Sequence, residues 1–224
     1  MTAWGLALHA TSSQLGLALG TNLSDLRWRT WDLNRELSVQ LHVRLAEFLA
    51  PQNWSDLAFI AVATGPGSFT STRVGVVAAR TLAQQLEIPL FGISTLAAAA
   101  WRASQPHSAA QASEATEAIA VRMTARRQQL FGAVYGPTVM GLETHLPVAT
   151  FTSETWLAAL EGLAIACREL ELPEALGTDV IGVFALALLA WQAGQRPHWS
   201  TVVPFYGQHP IEPAKIKRTS QMPS

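Results

Sequence analysis

The stretch that decides the fold is LAFIAVATGPGSFTSTRVGV, residues 57–76. Its first part, Leu57–Ala63, is a short apolar run of the kind that forms a buried strand. The break Thr64-Gly65-Pro66-Gly67 ends that strand, and the residues after it predict a helix to about Leu86. Leu90–Ile93 is a further short strand, followed by an alanine-rich helix. This alternation of strands and helices implies parallel strands joined by right-handed crossovers.

Upstream of this stretch, alternating apolar residues predict an antiparallel meander of three strands. The alternation runs through Trp4 to His9, Leu15 to Leu19 and Leu26 to Thr30. The period then becomes helical from Arg35 to Ala50, and Pro51 follows as a stop signal. A meander that continues into parallel strands predicts a mixed sheet.

Downstream, the same order of elements starts again after a connection at 104–117 that is rich in Ser, Gln, Ala, Pro and Glu. The sequence therefore predicts an α/β protein of duplicated architecture, with an N-terminal subdomain at 1–105 and a C-terminal subdomain at 106–224. The predicted elements of the second part are strands near 118–123, 130–135 and 148–151, and helices at about 154–170 and 180–193.

The composition predicts a covered surface. Charged residues make up 14% of the 224 residues and hydrophobic residues 49%, whereas about a quarter of an ordinary soluble domain is charged. The net charge of −1 argues against an autonomous DNA or tRNA binder.

The lone Cys167, interpreted as a small buried residue on an apolar helix, cannot form an internal disulfide. The longest apolar run, Val180 to Trp191, is too short to span a membrane and predicts a buried helix. With no basic residue before Arg27 to suggest a signal peptide, we expect a cytoplasmic protein.

Two helices suggest where the covering partner binds. In the helix at 36–50, the leucines dock the helix on its own sheet, while a second apolar stripe runs on nearly the opposite side. The helix at 71–86 is apolar around most of its circumference, with small residues that permit close helix approach. One interpretation is that both helices are sandwiched inside the chain. The other is a protein interface formed by Val39, Val43, Ala46, Ala50, Arg73, Val74, Gly75, Val76, Ala79, Arg80 and Ala83.

The glycine loop between the buried strand and the second helix is a candidate anion site, because backbone amides and a helix N-terminus can hold an anion there. The residues concerned are Gly65, Gly67, Ser68, Phe69 and Thr70, and Ser68 or Thr70 could cap the helix. No Gly-Lys-Ser/Thr follows, so this is not a Walker A loop. A purely conformational role for the two glycines is the alternative.

Catalytic and metal-binding patterns are missing from the sequence. No two of the six histidines have the spacing of a helical zinc pair, and no Gly-x-Ser-x-Gly pattern occurs. An actin-like phosphotransferase would require a carboxylate in its first hairpin, where this chain has His9 or Ala10. We interpret His9 as a strand-end residue bonded to the backbone. We therefore predict no catalytic residues and no metal site.

One long motif resembles the TsaB (YeaZ) family. It comprises Thr64 to Thr70 followed by Arg73-Val74-Gly75. The resemblance extends over most of the chain and is weakest from Glu154 to His198. It continues through Asn34-Arg35-Glu36-Leu37-Ser38, Gly92-Ile93-Ser94-Thr95-Leu96, Ala125-Arg126-Arg127, Phe131-Gly132-Ala133-Val134-Tyr135 and Pro204-Phe205-Tyr206.

This resemblance implies an actin-like (ASKHA, ribonuclease H-like) fold of two related subdomains, each with a mixed sheet and flanking helices. It also implies a non-catalytic scaffold subunit that dimerises through its two N-terminal helices with TsaD and activates it. TsaD is the catalytic subunit that, with the ATPase TsaE, makes threonylcarbamoyladenosine beside the anticodon of tRNA. ATP is then used by the complex, no cofactor is expected on this chain, and tRNA is reached indirectly.

The chain departs from the family pattern at two positions. His9-Ala10-Thr11 replaces the usual Asp-Thr-Ser, and Thr124 replaces the usual Asp before Ala-Arg-Arg. Both changes remove carboxylates that could serve nucleotide or magnesium binding. Two alternatives stay open: an actin-like ATP-dependent phosphotransferase that uses the glycine loop, and a homodimeric structural protein that uses the same two helices.

Overall fold

In a computed structural model that describes residues 3–105 and 117–207, the first part of the chain forms a five-stranded sheet. Its strands lie in the order β3-β2-β1-β4-β5. The pairs β1–β2 and β2–β3 are antiparallel, whereas β1–β4 and β4–β5 are parallel. The predicted meander and mixed sheet are therefore confirmed. The strands are β1 Trp4–His9, β2 Gln14–Gly20, β3 Arg27–Asp32, β4 Leu57–Ala63 and β5 Leu90–Ile93.

Helices α1 (Leu37–Leu49) and α2 (Phe69–Leu86) cover one face of this sheet. In α1 the buried side chains are leucines one turn apart, which pack on Leu6, Leu8 and the other large residues of that face. Ser68 caps α2, because its Oγ accepts a hydrogen bond from the Ser71 amide. The sequence thus placed both helices correctly, to within two residues at each end.

Helices α3 (Thr95–Ser104) and α5 (Val180–Gln192) lie on the opposite face, against small side chains such as Ala7 and Ala61. The two helices also touch each other closely. A Cβ at Gly182 of α5 would stand 2.0 Å from the Ala98 carbonyl oxygen. The helix α5, which comes from the second half of the chain, is buried on the sheet of the first half.

The second sheet repeats the topology of the first with one strand fewer. Its order is β8-β7-β6-β9, and β9 pairs parallel to β6 as β4 pairs parallel to β1. Helix α4 (Ser153–Leu163) buries Trp156 against Gly132. The strands are β6 Ala118–Thr124, β7 Leu130–Thr138, β8 Gly141–Phe151 and β9 Cys167–Glu171.

The single long helix predicted at 154–170 is wrong. The helix ends at Leu163, Ala164 takes a left-handed conformation with φ of 50°, and β9 follows. Cys167 is therefore a half-buried residue at the start of a strand, not a buried residue on an apolar helix. Strand β8 also begins well before the predicted residue 148.

The boundary between the two halves stays a prediction. The part of the predicted connection at 106–116 lies outside the described residues. The first sheet ends at Ile93 and the second begins at Ala118, while α5 returns to the first sheet. In the ranges that the structure describes, no helix is long and apolar enough to cross a membrane.

Candidate functional site

The outward side of α1 and α2 carries unusually exposed valines. The exposed fraction is 65% for Val39, 41% for Val43 and 59% for Val77. Because α1 and α2 pack side by side on the same face of the sheet, these valines lie on one surface. We call it the helix-pair face, and it consists of the exposed residues Val39, Val43, Ala46, Ala50, Thr70, Val77 and Thr81.

The four predicted interface residues on α1 are all exposed, but those on α2 divide into two groups. Arg73 is exposed, and Val74 and Arg80 are half-buried. In contrast, four small or β-branched residues face the sheet and are buried within the chain itself, so they cannot contact a partner directly. These four are Gly75, Val76, Ala79 and Ala83.

The burial of these residues has a steric cause. A Cβ at Gly75 would stand only 2.8 Å from the Ala10 Cβ, so the glycine lets α2 approach the turn after β1. The small residues of α2 therefore serve packing of the helix on its own sheet rather than on a partner. Val77, which sequence reasoning missed, is the apolar residue within the polar arc of Arg73, Arg80 and Gln84. That position could have identified it as an exposed apolar side chain.

The glycine loop is held by backbone hydrogen bonds to other parts of the chain. The Ser68 amide donates to the Thr11 carbonyl (2.7 Å), and the Gly65 carbonyl accepts from the Thr95 amide (2.8 Å). A Cβ at Gly67 would stand 2.2 Å from the Thr11 carbonyl oxygen, and Gly65 has a φ of 104° that suits glycine. These contacts favour the conformational role of the two glycines. The exposed Phe69 and Thr70 lie at the start of α2, and anion binding there stays a prediction.

The hairpin of β1 and β2 is also fixed against the second half of the chain. The Thr95 hydroxyl donates to the Thr11 hydroxyl (3.2 Å). The Leu176 amide donates to Ser12 Oγ, and the Gly177 amide donates to Gln14 Oε1, each at 3.2 Å. The polar side chains of Thr11, Ser12 and Gln14 are thus bonded to protein groups.

His9 is fully buried, and neither ring nitrogen has a hydrogen-bond partner among the residues that the structure describes. The prediction that His9 bonds to the backbone is therefore wrong. Its side chain points to the face of the sheet that small residues and α5 cover, and no polar group of that core reaches the ring. Burial without a partner lowers the pKa of His9 from 6.5 to about 3, because the charged imidazolium is penalised most.

Asp179 is a buried carboxyl group, and it precedes the first residue of α5. Arg102 of α3 donates from Nε to an Asp179 carboxylate oxygen at 2.7 Å, which links the two helices. Desolvation raises the pKa of Asp179, and the neighbouring guanidinium opposes that shift. At the end of β6, Thr124 is exposed. Across 3–105 and 117–207, no group of three His, Cys, Asp or Glu side chains is placed to hold a metal ion.

Two mixed sheets of repeated topology with flanking helices define an actin-like, ribonuclease H-like α/β protein. Two solved structures from Pseudomonas aeruginosa have the same fold. A protein with similarity to the peptidase YEAZ superposes with a TM-score of 0.72 at 20% identity, covering 92% of this chain and 100% of that one. YeaZ itself superposes with a TM-score of 0.71 at 21% identity, covering 91% and 99%. The predicted fold class is therefore confirmed.

Sequence comparison identifies the family. Residues 33–154 match the model of the TsaD family, tRNA N6-adenosine threonylcarbamoyltransferase. The chain is 31% identical to the Bacillus subtilis tRNA threonylcarbamoyladenosine biosynthesis protein TsaB over 153 residues, which is 66% of this chain and 62% of that protein. It is 45% identical to the Escherichia coli protein of the same name over 51 residues, 21% of this chain and 22% of that protein. The chain belongs to the TsaB (YeaZ) family, and its matches span less than two thirds of the length of these relatives.

Proposed function

We propose that this protein is a non-catalytic scaffold subunit in tRNA threonylcarbamoyladenosine biosynthesis. It pairs through the helix-pair face with a TsaD subunit and supports the activity of that subunit. TsaE works with this pair, and the complex consumes ATP. The transfer of the threonylcarbamoyl group takes place on the TsaD partner. The protein acts in the cytoplasm, where the tRNA substrate of the complex is found.

The observation that carries this proposal is the exposure of Val39, Val43 and Val77 on two adjacent helices. Exposed apolar patches on a protein surface mark contact sites for partners. The face is continuous across α1 and α2, and α2 contains no acidic residue. A partner that presents apolar helices could pack against it closely, because Ala46, Ala50 and the two threonines leave room around the valines.

The residues at the end of β1 and in the glycine loop also support a scaffold role. His9 stands where the family usually has a carboxylate, and it is buried and neutral near pH 7. The glycine loop and the hairpin bond to protein groups. The relatives that are similar to this chain in sequence are named tRNA threonylcarbamoyladenosine biosynthesis proteins.

The proposal is tested with the double variant Val43→Asp and Val77→Asp. In the complex, the two new carboxylates would be buried against the partner without a counter-charge. We therefore expect native mass spectrometry to show loss of the complex with TsaD. Circular dichroism should show an unchanged fold, because both side chains are exposed in this chain. Cells that depend on the variant should lose threonylcarbamoyladenosine from their tRNA.

The matched control is Val139→Asp, since Val139 is 97% exposed at the tip of the β7–β8 hairpin, away from the helix-pair face. This variant should keep both the complex and the modified nucleoside. A folded double variant that still binds TsaD at the native level would exclude the helix-pair face as the interface. A homodimer that persists in the presence of TsaD would favour the structural-protein alternative.

The alternative of an ATP-dependent phosphotransferase is tested by turnover. The purified chain with magnesium and ATP should release no phosphate above background. Release that disappears on Thr11→Val would favour the phosphotransferase, since Thr11 lies beside the glycine loop.

A further inference from the structure

Two segments that meet beside helix α2 carry positive charge and no carboxylate. Helix α2 and the whole segment 180–207 contain no Asp or Glu. The same two segments carry Arg73, Arg80, Arg196 and His198. Among residues 3–105 and 117–207, none of the three arginines forms an ion pair with a carboxylate. This surface therefore attracts anions although the chain has a net charge of −1.

Each of these arginines lies against an aromatic ring. The guanidinium carbon of Arg73 is 5.2 Å from the Phe69 ring centroid, that of Arg80 is 5.8 Å from Trp199, and that of Arg196 is 3.3 Å from Trp191. Stacking fixes the direction of a guanidinium while its N–H groups stay available at the ring edge. In Arg196, one nitrogen donates to the Trp191 and Gln195 carbonyls, which leaves the remaining donors directed elsewhere.

A groove lies between the end of α2 and the segment that follows α5. Its volume is about 710 Å³, within the range of sites that hold small organic molecules. Two glutamine amides, a histidine and an indole line it, and Glu87 is the one carboxylate among its lining residues. The groove residues that bear on the argument are Gln84, Gln85, Arg196, His198 and Trp199.

We propose that this groove binds an unpaired segment of RNA. Arg196 and Arg80 would contact backbone phosphates, and an exposed base would enter the groove beside Gln84, Gln85 and the His198 ring. A groove lined by arginine and aromatic side chains, here Arg196, His198 and Trp199, is the type of surface that binds single-stranded nucleic acid without strong sequence preference. Amides can donate to and accept from any base edge.

The inference rests on the proposed function for the identity of the RNA, which is then the tRNA held by the assembled complex. Arg73 and Arg80 lie on the flank of α2 that faces the C-terminal segment, next to the helix-pair face. An RNA bound mainly by the partner subunit would therefore continue onto this groove. The few cations predict a weak contribution by the chain alone, consistent with its near-zero net charge.

An acidic protein surface is the other ligand that a basic patch could accept. The groove favours RNA, because an acidic helix or loop would require neither the two amide side chains nor the aromatic rings that line it. The two are separated by measuring RNA affinity and partner affinity on the same variants.

The experiment uses the variants Arg196→Gln and Arg196→Lys and the control Arg29→Gln. Arg29 is an exposed arginine that stacks on Trp31 in the same way, on strand β3. A fluorescein-labelled unmodified tRNA transcript is titrated, from 50 to 200 mM salt, with the complex of chain and TsaD and with the chain alone. Arg196→Gln should weaken binding by about threefold to tenfold and reduce the slope of log K against log salt by about 0.7 to 0.9. Arg196→Lys and Arg29→Gln should retain the native affinity and slope.

Unchanged affinity and slope in Arg196→Gln would overturn the inference. So would weaker binding of TsaD with unchanged tRNA affinity, since the patch would then be a protein contact. Failure of the chain to pair with TsaD, together with RNA binding by the chain alone that depends on Arg196, would refute the proposed function and leave this inference standing.

Discussion

Buried His9 makes the protein sensitive to mild acid. The folded protein holds the imidazole neutral with a pKa of about 3, whereas the unfolded chain protonates it near 6.5. A depressed pKa stabilises the fold above pH 6.5, and the contribution is lost as the pH falls toward 3, because only the unfolded state gains the proton. Between pH 7.5 and 5.0 this loss is about 2 kcal/mol, and the full shift corresponds to about 5 kcal/mol.

The variant His9→Leu isolates this contribution. It replaces the imidazole by an apolar side chain of similar size and removes two buried nitrogens without partners, so we expect a gain of about 1 to 3 kcal/mol at pH 7.5. Urea unfolding at pH 7.5 and 5.0 should show a loss of stability that is about 2 kcal/mol smaller in the variant than in the native protein.

The control is His145→Leu, which removes an exposed histidine and should leave the pH dependence unchanged. Other titrating groups, including Asp179, are common to all three proteins and cancel in the comparison. Equal loss of stability in the native protein and in His9→Leu would refute the reasoning, since His9 would then have to be hydrated or bonded in the folded state.

Further predictions concern packing and the link between helices. Gly67→Ala should destabilise the protein by about 1 to 3 kcal/mol in urea unfolding, because its Cβ would meet the Thr11 carbonyl. Gly162→Ala, in helix α4 with open space around it, should stabilise the protein by about 0.5 to 1 kcal/mol, and the opposite order would contradict the geometry. Arg102→Leu should cost about 2 kcal/mol, less than for a fully buried pair because the Arg102 side chain is 43% exposed. A cost near zero at pH 7 would mean that Asp179 takes up a proton or another partner.

The sequence predicted strongly periodic elements well. Strands β4 and β5 have the predicted bounds, since an apolar run between Gly- and Pro-containing breaks has few other interpretations. The helix predicted at 154–170 was wrong because no Gly or Pro stands between Leu163 and Cys167. There the strand forms by pairing with β6, which is distant in sequence.

The candidate site was predicted only in part, for a related reason. Small residues on α2 suit close approach to a partner helix or to the chain's own sheet, and periodicity alone does not distinguish the two. The contact of Gly75 with Ala10 decides for the sheet, whereas the exposure of Val77 could have been predicted from its place in the polar arc of α2. Likewise, whether His9 has a hydrogen-bond partner depends on neighbours from α3 and α5, which are remote in sequence.

The return of α5 to the first sheet makes the two halves depend on each other during biosynthesis. Until the ribosome has released residue 192, α3 covers only part of the sheet face around Ala7, Phe59 and Ala61, and the exposed remainder is prone to aggregation. A helix made late in synthesis thus completes a core whose strands are made early. A fragment that stops at residue 105 would keep α3 but leave the part of that face under α5 open, and the intact chain should unfold in one cooperative transition.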